Sequence, residues 1–68
     1  LGYNKEALVA CENALSISPV HEEAWNNRGI SLAKLSRFKE AVSSFDKAIE
    51  INPKPSFIRN RAIAISRI

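Results

Sequence analysis

The feature that most constrains the fold of this chain is an internal repeat. When residues 1–19 are aligned with residues 35–53, seven of the aligned positions are identical. The segment from Asn27 to Ile30 also recurs later in the chain, as Asn60 to Ile63. A period of roughly 20 to 50 residues is typical of arrays in which helical or mixed units stack on one another. The repeat therefore predicts a stack of similar units.

Apolar residues recur at helical spacing on both sides of the short break Ser36-Arg37. The stripe after the break consists of Phe38, Ala41, Val42, Phe45, Ala48 and Ile49. The stripe before it consists of Trp25, Gly29, Leu32 and Leu35. Because two residues are too few for any other connection, the two helices are expected to form an antiparallel hairpin. We expect Trp25, the largest side chain on its stripe, to anchor the core of this hairpin.

The same reasoning extends to the whole chain and predicts four helices. The first covers Asn4 to Ile17, with a buried face made of Ala7, Leu8, Cys11, Ala14 and Leu15. Glu22 opens the second helix, the third runs from Phe38 to Glu50, and the fourth starts at Pro55 and continues to the chain end with fraying after Ser66. Pro19 and Pro53 stop the helices before them. The predicted fold class is an all-α, antiparallel stack of helix hairpins.

Three motifs in the central part resemble the tetratricopeptide repeat: Trp25-x-x-Arg28-Gly29-x-x-Leu32, Ala41-x-x-x-Phe45 and Pro53. Arg28 and Leu32 stand where the family pattern has Leu and Tyr. In the outer parts Cys11 occupies the place of Phe45, and Ala62 the place of Gly29. The resemblance divides the chain into the second helix of one repeat (1–19), a complete repeat (20–53) and the first helix of a further repeat (54–68).

Composition supports an ordinary water-soluble domain. The chain is 46% apolar and 25% charged, carries a net charge of +3 and has a single cysteine. It contains no apolar run near the roughly 20 residues that a membrane span requires, and no signal peptide, so we predict a cytoplasmic location without membrane contact. Because the sequence begins at Leu1 and on the second helix of a repeat, we interpret it as a segment of a longer array.

Catalytic, metal and nucleic-acid sites find little support in the sequence. His21 is the only histidine and has no second His or Cys at ligand spacing, so we expect no metal and no cofactor. Cys11 lies in an apolar stripe without a histidine, where a thiol stays protonated. The arginines of the last helix have only Phe57 near them, which is too few aromatic residues for base stacking. We therefore expect neither an enzyme nor a nucleic-acid-binding protein.

A polar stripe recurs beside the apolar one and is the candidate binding site. On the second helix it contains Glu23, Asn26, Asn27, Ile30 and Lys34, and at the equivalent positions of the fourth helix it contains Ser56, Arg59, Asn60, Ile63 and Arg67. The resemblance implies that these first helices line a concave groove. There an asparagine amide can bond to a peptide backbone, Lys34 and Arg67 can pair with carboxylates, and the isoleucines can contact apolar side chains.

Two functions of this segment remain open, besides a third in which it is an accessory segment of a catalytic protein whose catalytic domain lies outside the chain. The first is a protein–protein interaction scaffold that binds a peptide or partner helix, including an acidic one, in the groove. The second is a structural spacer or self-association element without a groove ligand, in which Asn27 and Asn60 bond only to neighbouring backbone. The terminal helices are expected to expose Ile58, Ala62, Ile65 and Ile68, and these predict a homo-oligomer formed through the terminal helices.

Overall fold

The computed structural model describes residues 4–68, and this part of the chain forms four α-helices with no β-strand. Their bounds are α1 Asn4–Ile17, α2 Glu22–Lys34, α3 Phe38–Ile51 and α4 Pro55–Ile65. Each helix packs against its neighbour in sequence, and α2 also touches α4. The stack is a thin slab of 30 × 29 × 15 Å. The predicted all-α fold is confirmed, although α3 extends one residue further than predicted and α4 ends before Ser66.

Local sequence sets the helix ends. The Nδ1 atom of His21 accepts a hydrogen bond from the backbone N–H of Ala24 at 3.3 Å and caps α2. Pro55 lies in the first turn of α4, where its missing N–H costs nothing. Between α2 and α3, Ser36 has φ of 62°, the left-handed conformation that lets two helices reverse direction in a short turn.

The core lies between the helices and is centred on Phe45. Its buried members are Leu8, Leu32, Ala41, Phe45 and Ala64. Gly29 of α2 faces the Phe45 ring so closely that a Cβ atom there would lie 2.5 Å from the ring carbon Cε1. The glycine is therefore required by the close approach of α2 and α3, and the ring fills the space that a side chain would have taken.

Trp25 does not anchor this core, contrary to the sequence-based prediction. The largest fully buried side chains are Phe45 and Phe57, whereas Trp25 is only half-buried. Its indole Nε1 donates a hydrogen bond to the Pro19 carbonyl at 2.8 Å, and the Arg28 guanidinium lies 5.9 Å from the ring centroid. The indole thus covers the edge of the hairpin beside α1, where its N–H can find a partner.

The first helix is also less buried than its apolar pattern predicts. Leu8 and Leu15 are buried, but Ala7 is exposed and Cys11 and Ala14 are half-buried. The physical reason is that α1 packs only against α2, so a helix face wide enough for two neighbours meets only one.

An arginine–carboxylate pair joins successive hairpins and recurs with the repeat. Arg28 of α2 lies 3.4 Å from the Glu12 carboxylate of α1 and also donates to the Ser44 hydroxyl of α3 at 2.6 Å. Arg61 of α4 pairs with Asp46 of α3 in the equivalent place. The departure of Arg28 from the leucine of the family pattern is thus explained, because this side chain links three helices.

Candidate functional site

A cleft of about 350 Å³ opens between α2, α3 and α4. Its lining comes from all three helices and from Arg67, which follows α4: Ile30, Ala33, Lys34, Phe38, Phe45, Asn60, Ile63, Ala64 and Arg67. Five of the predicted groove residues are therefore brought together here, namely Ile30, Lys34, Asn60, Ile63 and Arg67. These five come from both copies of the polar stripe, so the cleft lies where the two copies meet.

The lining is mainly apolar and carries positive charge. Ile63 is 53% exposed and is available for contact with another apolar group. Lys34 and Arg67 bring two cations, and the described lining residues include no acidic side chain. The ion pairs formed within residues 4–68 involve neither of these cations. The arrangement therefore offers charge for an anionic group beside an apolar surface.

Asn60 is held in place by Asn26, a contact that the sequence did not predict. Its Nδ2 donates to Asn26 Oδ1 at 3.1 Å, and Asn26 is only 8% exposed. A primary amide has two N–H donors and an acceptor oxygen, so Asn60 keeps one N–H and its oxygen for another molecule. Asn26 is thus a support for Asn60 and is nearly closed to solvent.

Three other predicted groove residues, Glu23, Asn27 and Arg59, lie outside the cleft lining. Glu23 pairs with Lys54 at 2.7 Å across the N-terminal ends of α2 and α4. This hydrogen bond is the main cause of the raised pKa of Lys54. Asn27 and Arg59 are exposed, as is Ser56 of the same stripe. The predicted stripe is therefore divided in the structure. Some of its residues line the cleft, Asn26 supports Asn60, and Glu23, Asn27 and Arg59 lie outside the cleft.

Sequence reasoning did not include four of the residues that line the cleft. Phe38 and Phe45 belong to the stripe that the sequence assigns to the hairpin core, and Ala33 and Ala64 had been assigned no role. The only signal for Phe38 was its position at the start of its stripe, next to the turn. A ring at the end of a stripe meets the partner helix on one side only and leaves its other side for the cleft.

The thiol of Cys11 is not activated. Burial is the largest effect on Cys11 and raises the pKa of its thiol, which keeps it protonated. Within residues 4–68 no three His, Cys, Asp or Glu side chains are grouped so as to hold a metal ion. No helix in the described part is long and apolar enough to cross a membrane.

Comparison with known proteins agrees with the fold. The sequence model of the tetratricopeptide repeat matches residues 22–55. The peroxisomal targeting signal receptor of Saccharomyces cerevisiae is 42% identical over 50 residues, which are 74% of this chain and 8% of the receptor. The receptor of the same name from Candida albicans is 46% identical over 48 residues, or 71% of this chain and 8% of the receptor. The match thus spans only a small part of these relatives. From the match and the helix stack together, the chain belongs to the tetratricopeptide repeat family.

Proposed function

We propose that this chain is a protein-interaction segment that binds an extended peptide in the cleft between α2, α3 and α4. The peptide carries a carboxylate that meets Lys34 and Arg67, and an apolar side chain that meets Ile30 and Ile63. The observation that carries this proposal is the pair of cations without acidic neighbours beside an apolar floor. Such a surface favours an anionic and partly apolar ligand over a neutral polar one.

Asn60 gives the proposed site a preference for polypeptide backbone. Its remaining N–H and its carbonyl oxygen can bond to the C=O and N–H of one peptide unit, which an extended chain presents at regular intervals. The bond to Asn26 fixes the amide before the ligand arrives, so less conformational entropy is lost on binding. The two fungal relatives are named as receptors of a targeting signal, which agrees with a polypeptide ligand.

Besides Asn26, which supports Asn60, three predicted residues do not line the cleft, and we assign them outer roles. Glu23, Asn27 and Arg59 would contact only a ligand that extends beyond the cleft towards the N-terminal ends of α2 and α4. Glu23 is already paired with Lys54, so its contribution requires exchange of that partner. The function proposed is non-catalytic, and the cytoplasmic location predicted from the sequence stays a prediction.

Binding can be tested with fluorescein-labelled peptides of about seven residues, a length that spans a groove of this kind in extended form. One peptide carries Glu and Leu at alternating positions, and a second carries Gln in place of each Glu. We expect the anisotropy titration to show binding of the first peptide and about tenfold weaker binding of the second. Added salt should weaken the first interaction because the charges are close to solvent.

The decisive variant is Lys34→Gln with Arg67→Gln, which removes both cations of the cleft. Its matched control is Lys39→Gln with Lys47→Gln, which removes the same charge from exposed positions of α3 outside the cleft. Loss of binding in both variants would indicate a general effect of net charge and would contradict the site. If neither peptide binds the unmodified chain, the spacer or self-association alternative is favoured instead. Self-association through the terminal helices is a separate part of this proposal and does not depend on the cleft.

A further inference from the structure

The exposed face of α4 corresponds, position by position, to a buried face of α2. In the alignment that pairs Asn27 with Asn60, Leu32 is aligned with Ile65 and Gly29 with Ala62. Leu32 is 0% exposed in a core cluster that includes Ala41 and Phe45 of α3, whereas Ile65 is 43% exposed. Gly29 is buried and Ala62 is exposed. The surface that α2 presents to α3 therefore exists again on α4, without a helix against it among residues 4–68.

The complementary surface is found on α1. In the alignment that pairs residues 1–19 with residues 35–53, Ala7 is aligned with Ala41 of α3 and Cys11 with Phe45. Ala41 is 0% exposed because it faces α2, whereas Ala7 is exposed. Phe45 is 2% exposed, whereas Cys11 is half-buried. The chain thus carries one half of the central hairpin contact on α4 and the other half on α1.

The two outer positions differ from the central ones in opposite directions, because the α1 residue is smaller and the α4 residue is larger. In the central hairpin the large Phe45 ring requires glycine at position 29, since a Cβ atom would lie 2.5 Å from it. On the outer helices the aligned residues are Cys11 and Ala62. A thiol occupies less space than a phenyl ring, so it leaves room for the methyl group of Ala62. The outer pair therefore avoids the clash that glycine avoids in the central pair, although both of its members differ.

We propose that α4 of one copy packs against α1 of a second copy, so that the two helices form an intermolecular hairpin equivalent to α2 with α3. The contact is head-to-tail, which makes it heterologous and able to extend to further copies. This inference makes the self-association of the proposed function specific, and it rests on surfaces outside the cleft. Failure of peptide binding would therefore leave the head-to-tail contact intact, and failure of self-association would leave the peptide site intact.

Size matching gives the first test. Cys11→Phe recreates the ring that Ala62 cannot accommodate, and we expect sedimentation between roughly ten micromolar and one millimolar to show association weakened by about tenfold or more. Adding Ala62→Gly recreates the Gly29–Phe45 pair and should restore it. Circular dichroism checks that each variant is folded. Equal association of the unmodified chain and Cys11→Phe, or a folded double variant that stays monomeric, would overturn the proposal.

A disulfide test does not depend on the stability of these variants. The unmodified chain, with its thiol only on α1, is mixed under mild oxidation with Cys11→Ser/Ala62→Cys, which has its thiol only on α4. We expect a disulfide-linked heterodimer in the mixture and much less linked dimer from either chain alone. The control Cys11→Ser/Ser56→Cys places the thiol about 120° around α4 and should give none. Homodimers from each separate chain, or no linked species, would contradict the head-to-tail contact.

Discussion

The central hairpin and the outer helices are built from the same repeat but have different surroundings. Arg28 and Arg61 occupy equivalent positions, and each bonds to the helix that precedes its own. Arg28 also reaches Ser44, which is 0% exposed, whereas Asp46, the partner of Arg61, has a side chain that is 52% exposed. In a stacked array the repeat pattern thus determines which residues face a neighbouring helix. How much these residues contribute to stability depends on whether that neighbour is present.

The largest difference is expected for the aligned pair Phe45 and Cys11. Phe45→Ala should lower the free energy of unfolding by about 3–5 kcal/mol, because a fully buried ring is replaced by a methyl group. Cys11→Ala should lower it by less than about 1 kcal/mol, since little buried volume is lost. Urea denaturation followed by far-UV circular dichroism measures both. Similar midpoints for the two variants would mean that centre and periphery are equally packed.

Replacing Arg28 should likewise cost more stability than replacing Arg61. Arg28→Ala leaves the buried Ser44 hydroxyl without its donor and should cost about 1–3 kcal/mol. Arg61→Ala removes an ion pair with an exposed carboxylate and should cost less than about 1 kcal/mol. In the double variant Arg28→Ala/Ser44→Ala we expect part of the loss to be recovered, because no hydroxyl is left unbonded. No recovery in that denaturation experiment would assign the loss to Glu12 and Trp25 instead.

A methyl group added at Gly29 tests how tightly the central hairpin is packed. An alanine normally favours a helix over glycine by about 1 kcal/mol. Gly29→Ala should nevertheless destabilise the chain, because overpacking against the Phe45 ring costs about 1–3 kcal/mol. In a Phe45→Leu background the same change should become neutral or stabilising. Thermal melts of the four proteins test this, and a higher melting temperature for Gly29→Ala alone would show that the ring can move aside.

The smallest effect is expected in the turns. Ser36 of the central turn has φ of 62°, where a residue with a Cβ atom is strained, so Ser36→Gly should gain up to about 1 kcal/mol. Ser18, between α1 and α2, has no positive φ, and Ser18→Gly should give no gain. Chemical denaturation of the two variants makes the comparison. A gain in both turns would show that the positive φ of Ser36 does not set the effect, since the extra freedom of glycine in the unfolded chain opposes any gain.

The sequence predicted the helices well because two independent signals coincide there. Helical spacing defines each stripe, and Pro19 and Pro53 mark the ends of α1 and α3. It predicted Trp25 poorly, because a stripe about 100° wide does not tell which of its residues lies at the centre. Only the packing distance shows that the centre of the hairpin belongs to Gly29 and Phe45, while the indole lies at the edge.

The candidate site was predicted in part for a related reason. Lys34 and Arg67 are recognisable because a cation recurs at the same place in both helices, and the structure brings both to the cleft. The contact of Asn60 with Asn26 was not recognisable, because a repeat alignment shows which positions are equivalent and not which side chains touch.

The position of the indole has a practical consequence for optical measurements. Trp25 is the only tryptophan of the chain, and it lies outside the lining of the cleft. It is bonded to Pro19 and stacked under Arg28, which in turn reaches Glu12 of α1. Its intrinsic emission should therefore stay constant when a ligand fills the cleft and should change when α1 separates from the hairpin. The fluorescence of Trp25 should therefore report whether α1 is packed against the hairpin.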